Sequence, residues 1–144
     1  MKSNLEMVID NLIGGYLAMD NYELIEKWIS VFGKGVDKKM IDDHVTSYCN
    51  HLWHLFTWGN VPCLSGEEAR RAFDVLHYTE AIRFYGGQSN YIENISVVEK
   101  LSANEVDRDN HNDVYIVAKD FSWTYVRTHE LDLGPYLCVN KTDK

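Results

Sequence analysis

Three histidines, His44, His51 and His54, lie close together in the first half of the sequence. If this segment is helical, His51 and His54 are three residues apart on one face, whereas His44 lies two turns before His51. Neutral imidazoles are common metal ligands, so the close pair could bind an ion with a third ligand from the following segment. The candidates for that ligand are Glu67, Glu68 and His77, and the predicted metal site is His51, His54 and Glu67. The alternative is that the imidazoles line a helix packed under a sheet and hydrogen-bond to backbone groups.

A second candidate site lies in the segment from Phe121 to Glu130, which has the composition of a β-strand. Alternation along a strand puts Trp123, Tyr125, Arg127 and His129 on one face and Glu130 on the other. His129 and Glu130 should therefore point in opposite directions and form no acid–base pair. An aromatic face that continues into Arg127 and His129 could hold an anionic ligand. The predicted ligand-binding residues are Trp123, Arg127, His129 and Glu130, and the alternative is that the aromatic residues are core while the polar pair marks the sheet rim.

Other chemical motifs are incomplete. The stretch from Asp107 to Asp113 resembles a calcium-binding loop, but Asn112 and Ala118 stand where such a loop needs Gly and Glu. A solvated acidic loop is the better interpretation. The sequence has no G-x-S-x-G motif for a nucleophilic serine, and Gly86-Gly87 is typical of a hairpin turn. No catalytic residue and no cofactor are predicted from these motifs.

Composition restricts the class of protein. The 144 residues include 14 basic and 22 acidic side chains, a net charge of −8 that disfavours general nucleic-acid binding. Residues 44–66 contain no Asp, Glu, Lys or Arg, but their histidines, asparagines and hydroxyl groups exclude a membrane span. The three cysteines, Cys49, Cys63 and Cys138, are scattered and lack a C-x-x-C pair, which favours buried thiols in a cytoplasmic protein.

The periodicity of apolar residues predicts four helices, at about 3–19, 21–33, 37–57 and 66–77. Asp37 should cap the third helix, and the charge-free run records burial of that helix in the core. Capping boxes are predicted at Ser65 with Glu68 and at Ser102 with Glu105, the latter for a short helical turn.

Period-two patterns after His77 predict antiparallel strands. Their ranges are 81–85, 91–95, 114–118, 122–128 and 135–139, with turns at Gly86-Gly87 and Lys119-Asp120. Helices first and strands later indicate a single α+β domain over residues 1–144, with the helices packed on a C-terminal antiparallel sheet.

Four segments carry a resemblance to a small bacterial family described as a domain of unknown function. They are 52–56 (LWHLF), 62–73 (PCLSGEEARRAF), 120–130 (DFSWTYVRTHE) and 134–136 (GPY). The resemblance covers about residues 50–138 and implies a compact cytosolic protein, but it implies no activity. It selects positions for a shared surface, namely Trp53, His54, Glu67, Trp123, Thr128, His129 and Glu130.

The sequence supports two classes of function. The leading hypothesis is a non-catalytic cytoplasmic protein that binds a basic protein partner, such as a toxin that it neutralises, and that binds neither nucleic acid nor membrane. It rests on the acidic charge, the abundance of Trp and Tyr and the lack of a complete catalytic set. The alternative is a small metal-dependent hydrolase or ligand-binding protein that uses His51, His54 and His129.

Overall fold

A computed structural model describes residues 21–46, 51–58, 61–85, 92–96, 100–110, 112–130 and 132–140. The helices are α1 (Asn21–Phe32), α2 (Lys38–His44), α3 (His54–Trp58), α4 (Gly66–Asp74) and α5 (Ala103–Asp107). The strands are β1 (Leu64–Ser65), β2 (Glu80–Tyr85), β3 (Ile92–Ser96), β4 (Val114–Ala118), β5 (Trp123–Arg127) and β6 (Tyr136–Val139). The predicted α+β class is confirmed, whereas the helix predicted at 3–19 lies outside the described residues. None of the helices in these ranges has the length and apolar character needed to span a membrane.

The helix predicted at 37–57 is wrong as a single element. Asp37 does cap its beginning, because its carboxylate accepts a hydrogen bond from the Lys39 N–H at 3.1 Å. Helix α2 then ends at His44, and α3 begins only at His54. Between them the Trp53 N–H donates to the Tyr115 hydroxyl at 3.2 Å instead of continuing the helical ladder. His51 therefore lies outside any helix, and the spacing argument that paired it with His54 does not apply.

The remaining helix predictions are closer. Helix α1 follows the predicted range and buries Leu24, Trp28 and Phe32, which recur at helical spacing. Helix α4 ends at Asp74, earlier than predicted, and the Ser65 side chain makes no capping hydrogen bond. The predicted capping box of Ser102 is present at the start of α5.

The six strands form one antiparallel sheet in the order β1-β6-β5-β4-β2-β3. Five of them agree with the predicted strands to within two residues at either end, and the short β1 was not predicted. The turn expected at Lys119-Asp120 is a longer loop, from Lys119 to Ser122, in which Phe121 takes a left-handed φ of 60°. This loop sets the pairing of β4 with β5, so that Val114 lies opposite Arg127.

Side chains that alternate along the sheet contribute to two separate core clusters. The first cluster lies under α1 and α3 and contains buried residues of both helices, among them Trp28, Leu55 and Phe56. The second lies under α4 and α5 and contains Phe73 and Val106. Helices thus cover both faces of the sheet. Several polar residues converge at one end of the first cluster.

Candidate metal-binding site

Two histidines and one carboxylate converge at one end of the β4–β5 pair. His51 comes from the segment before α3, Asp113 directly precedes β4, and His129 follows β5. One potential ligand atom from each residue lies within 4.8 Å of the other two. The register of β4 with β5 therefore brings Asp113 close to His129, and the segment before α3 adds His51.

Asp113 is the hub of this cluster, and it is only 6% exposed. Its Oδ1 atom accepts a hydrogen bond from the backbone N–H of His129 at 2.9 Å and lies 2.9 Å from the Nδ1 atom of the same residue. Its Oδ2 atom lies 3.4 Å from Nδ1 of His51. A buried carboxylate needs such partners, because an isolated charge in the interior is costly. Asp113 thus fixes both imidazoles relative to itself.

His51 is held against an aromatic surface. Its ring lies parallel to the Trp53 indole, with an interplanar angle of 6° and centroids 5.4 Å apart, and 4.8 Å from the His129 ring centroid. Burial lowers the pKa of the His51 imidazole, an effect that the Asp113 carboxylate opposes and the neighbouring histidines reinforce. A lowered pKa favours the neutral imidazole, which is the form that binds metals.

A tight turn positions His129 and Glu130. The Thr128 hydroxyl contacts the carbonyl oxygens of Glu130 and Leu133 and accepts a hydrogen bond from the Glu130 N–H at 3.2 Å. Because β5 ends at Arg127, the alternation of a strand no longer applies beyond it. The prediction that His129 and Glu130 point in opposite directions is wrong: Nε2 of His129 lies 3.8 Å from Oε1 of Glu130.

The other predicted metal ligands lie outside the cluster. His54 is a near neighbour, with its ring centroid 5.4 Å from that of His51, but its Nδ1 atom lies 3.0 Å from the backbone oxygen of His44. Glu67 is exposed on α4, where it pairs with Arg70 at 3.4 Å and Arg71 at 3.8 Å. Of the predicted set His51, His54 and Glu67, the structure places only His51 among the three converging residues.

The predicted ligand-binding set is also divided. Trp123 and Tyr125 belong to the second core cluster, where both contact Phe73. Arg127 donates from Nη2 to the backbone oxygen of Asp109 at 3.1 Å. The His129 ring instead lies 5.9 Å from that of Trp53, a residue of the first cluster. Arg127 and His129 therefore do not share one aromatic surface.

The sequence does not indicate Asp113 as a site residue, because Asp113 is the last residue of an acidic stretch that is typical of a solvated loop. In the structure that stretch does not form a calcium site from its described members. Asp107 pairs with Arg70, and Asp109 accepts a hydrogen bond from the Tyr85 hydroxyl at 2.8 Å. The predicted β4–β5 hairpin offered one signal for Asp113. Because Val114 lies opposite Arg127, the preceding residue, Asp113, lies beside the end of β5.

The donor set suits a divalent transition metal. Two imidazole nitrogens and a carboxylate oxygen are ligands of zinc, and three protein ligands leave a position open for water or substrate. At a tetrahedral centre with bonds of about 2.0–2.2 Å, the ligand atoms lie about 3.3–3.6 Å apart. The 4.8 Å spread of the cluster must therefore contract by more than about 1 Å, and the contact between Asp113 and His129 must open to admit an ion.

Comparison with known proteins gives a family and no relative of established role. Residues 15–137 match the family described as Domain of unknown function (DUF4275), and the chain belongs to that family. This range includes His51, Asp113 and His129. No curated protein and no solved structure matches the chain.

Proposed function

We propose that this member of the DUF4275 family binds one divalent transition-metal ion, with zinc as the best match, through His51, Asp113 and His129. The observation that carries the proposal is the convergence of two imidazoles on a buried carboxylate, with the three ligand atoms within 4.8 Å. The lowered pKa of the His51 imidazole favours a neutral ligand over a protonated partner of Asp113.

A three-ligand site would be suited to activating water. Structural zinc sites usually close with four protein ligands, whereas catalytic sites keep one position for water. A bound ion lowers the pKa of that water to near neutrality and makes hydroxide available for hydrolysis. The partial exposure of His129, whose side chain is 33% accessible, leaves a route from solvent to the cluster. The class of activity that we propose is therefore metal-dependent hydrolysis.

The binding of a basic protein partner stays a prediction from composition. It rests on the net charge of −8 and on the aromatic content of the sequence. The cluster of His51, Asp113 and His129 supports the metal hypothesis. Nothing comparable among the described residues supports a partner surface. We therefore rank metal binding first.

The direct test is a metal titration of chain purified without an affinity tag. Zinc would be titrated in competition with a chromophoric chelator, and cobalt(II) would report coordination geometry by its visible absorption. Ferrous iron would be included under anaerobic conditions, because sets of two histidines and one carboxylate also bind it. We expect one ion per chain, and stoichiometric binding that persists in the His51→Gln variant would overturn the assignment.

A further inference from the structure

Two cysteines that are distant in the sequence lie near the same edge of the sheet: Cys63 directly precedes β1, and Cys138 belongs to its partner strand β6. Strand β1 pairs with β6 so that Leu64 faces Leu137 and Ser65 faces Tyr136. Continued one residue beyond the end of β1, the same register would place Cys63 opposite Cys138. The sequence alone gives no reason to pair them.

The hydrogen-bond pattern defines the type of pair. The Gly66 N–H donates to the backbone oxygen of Pro135 at 2.9 Å, so those two residues form a hydrogen-bonded position of the antiparallel ladder. Because hydrogen-bonded and non-hydrogen-bonded positions alternate, the continued register makes Cys63/Cys138 a non-hydrogen-bonded position. Residues at such positions have Cα atoms about 4.5 Å apart. Disulfides join Cα atoms separated by about 4.4–6.8 Å.

The side chains lie on the same side of the sheet. Cys138 is buried in the first core cluster, and Cys63 packs against that cluster as a half-buried residue. The Sγ atom of Cys138 lies 3.7 Å from the carbonyl oxygen of Pro62, which belongs to the peptide group that joins Pro62 to Cys63. The Cys138 sulfur is thus directed at the segment that carries Cys63.

We infer that Cys63 and Cys138 are a redox modification site that forms a reversible intramolecular disulfide on reaction with a low-molecular-weight disulfide of the glutathione type. The bond would join β6 to β1, which leads directly into α4. The register and the shared face carry this inference. It does not depend on the metal-binding proposal.

The reaction proceeds in two exchange steps. The Cys63 thiolate attacks one sulfur of the oxidant, which forms a mixed disulfide and releases the first small thiolate. Cys138 loses its proton and attacks the Cys63 sulfur, which releases the second. The two cysteine sulfurs lose two electrons, the oxidant's sulfur–sulfur bond gains them, and the two protons end on the released thiols.

Burial determines which cysteine reacts first. Cys63 is half-buried and reachable, whereas Cys138 is buried and suited to the second step. Burial also raises the pKa of the Cys63 thiol, so its thiolate fraction at neutral pH is small. The rate of disulfide formation should therefore increase between pH 7 and pH 9.

The test requires peptide mapping designed around the third cysteine. Trypsin would leave Cys49 and Cys63 together in peptide 40–70, and Cys138 in peptide 128–141. The full chain with Cys49→Ser would be incubated with oxidised glutathione at pH 8, alkylated, digested without reductant and analysed by mass spectrometry. Wild-type protein, cleaved additionally after aromatic residues to separate Cys49 from Cys63, provides a second measurement that does not depend on that substitution.

We expect peptides 40–70 and 128–141 to be joined with the loss of two hydrogens, and both thiols to reappear after reduction. In the matched variant that also carries Cys138→Ala, we expect a glutathione adduct that stays on Cys63. A stable adduct on Cys63 when Cys138 is present, a bond between two chains, or two unreacted thiols would each overturn the inference.

Discussion

Oδ1 of the buried Asp113 contacts His129 twice, through the backbone N–H and through Nδ1, each at 2.9 Å. The two contacts tie the residue before β4 to the turn after β5. They fix the imidazole of His129 at a site that His51 reaches from the segment before α3. This relationship makes Asp113 the residue on which both the local fold and the proposed metal site depend.

The Asp113→Asn substitution tests the metal site separately from the local fold. The asparagine side-chain oxygen can still accept the His129 N–H, so the fold should be retained, but the ligand loses its negative charge. Removal of outer-shell partners alone typically weakens metal affinity 10–100-fold, so loss of a direct anionic ligand should weaken zinc binding by about 100-fold or more. Chelator competition measures the change, with circular dichroism as the control for folding. Unchanged affinity would remove Asp113 from the site.

His51 and His54 provide a matched pair of variants. Both are partly buried, and their ring centroids are 5.4 Å apart, but only His51 belongs to the converging cluster. His51→Gln should abolish one-to-one zinc binding at micromolar concentrations, whereas His54→Gln should leave the affinity within about threefold of wild type. Equal losses in the two variants would favour the site predicted from sequence over the one found in the structure.

Glu130 should act on the metal through His129. If His129 binds the ion through Nδ1, its Nε2–H faces the Glu130 carboxylate, now 3.8 Å away, and a hydrogen bond there would orient the ring. Glu130→Gln should weaken zinc binding about 10-fold, at the low end for outer-shell partners, because Glu130 is half exposed. Glu67→Gln is the control, since Glu67 pairs only with the arginines of its own helix among the described residues. An equal effect of both substitutions would indicate a general loss of negative charge.

Two buried tyrosines should respond oppositely to removal of the hydroxyl group. The Tyr115 hydroxyl accepts the Trp53 N–H, so Tyr115→Phe leaves a buried donor unpaired and should lower the free energy of unfolding by about 1–3 kcal/mol. The Tyr125 hydroxyl is buried with no hydrogen-bond partner in the described part of the chain, and the ring stacks on Phe73. Tyr125→Phe keeps the stack and should be neutral or stabilising by about 1 kcal/mol. Urea denaturation of both variants measures the difference, and destabilisation by both would show that Tyr125 has a partner.

Alkaline pH gives an independent check on Tyr125. Burial raises the pKa of the Tyr125 phenol well above its ordinary value. Above about pH 10 the unfolded chain loses the phenol proton while the folded chain retains it, so stability is full below that pH and falls as the pH rises. The decline of the unfolding free energy above pH 10 should be shallower in Tyr125→Phe than in wild type. Identical slopes would contradict the burial of this hydroxyl.

The sheet could be predicted from sequence, but the site could not. The β-branched and aromatic composition of β4 and β5 located both strands, whose side chains are almost all buried on both faces of the sheet. The predicted direction of the His129 side chain was wrong because it assumed that strand alternation continues to residue 130. The chain instead turns at Thr128, and the hydroxyl contacts that form this turn leave no periodic pattern in the sequence. The sequence pattern does not identify Asp113 as a site residue, because its role depends on which residue lies opposite it in the β4–β5 pair.

The helical assignment at 37–57 failed for a related reason. Apolar spacing and the absence of charges favoured one long helix, yet the Trp53 N–H is bound by Tyr115 from β4. Tertiary contacts of this kind override helix propensity, and the partner lies too far along the sequence to be recognised. His51 consequently approaches Asp113 from an irregular segment.

The most direct test of the metal site is anomalous diffraction at the zinc absorption edge from crystals grown with zinc. We expect a single strong peak within about 2.0–2.2 Å of one atom each of His51, Asp113 and His129. The Asp113–His129 side-chain contact should be opened by the ion. No peak at this cluster, with Asp113 still in contact with His129 at 2.9 Å, would contradict the proposed function.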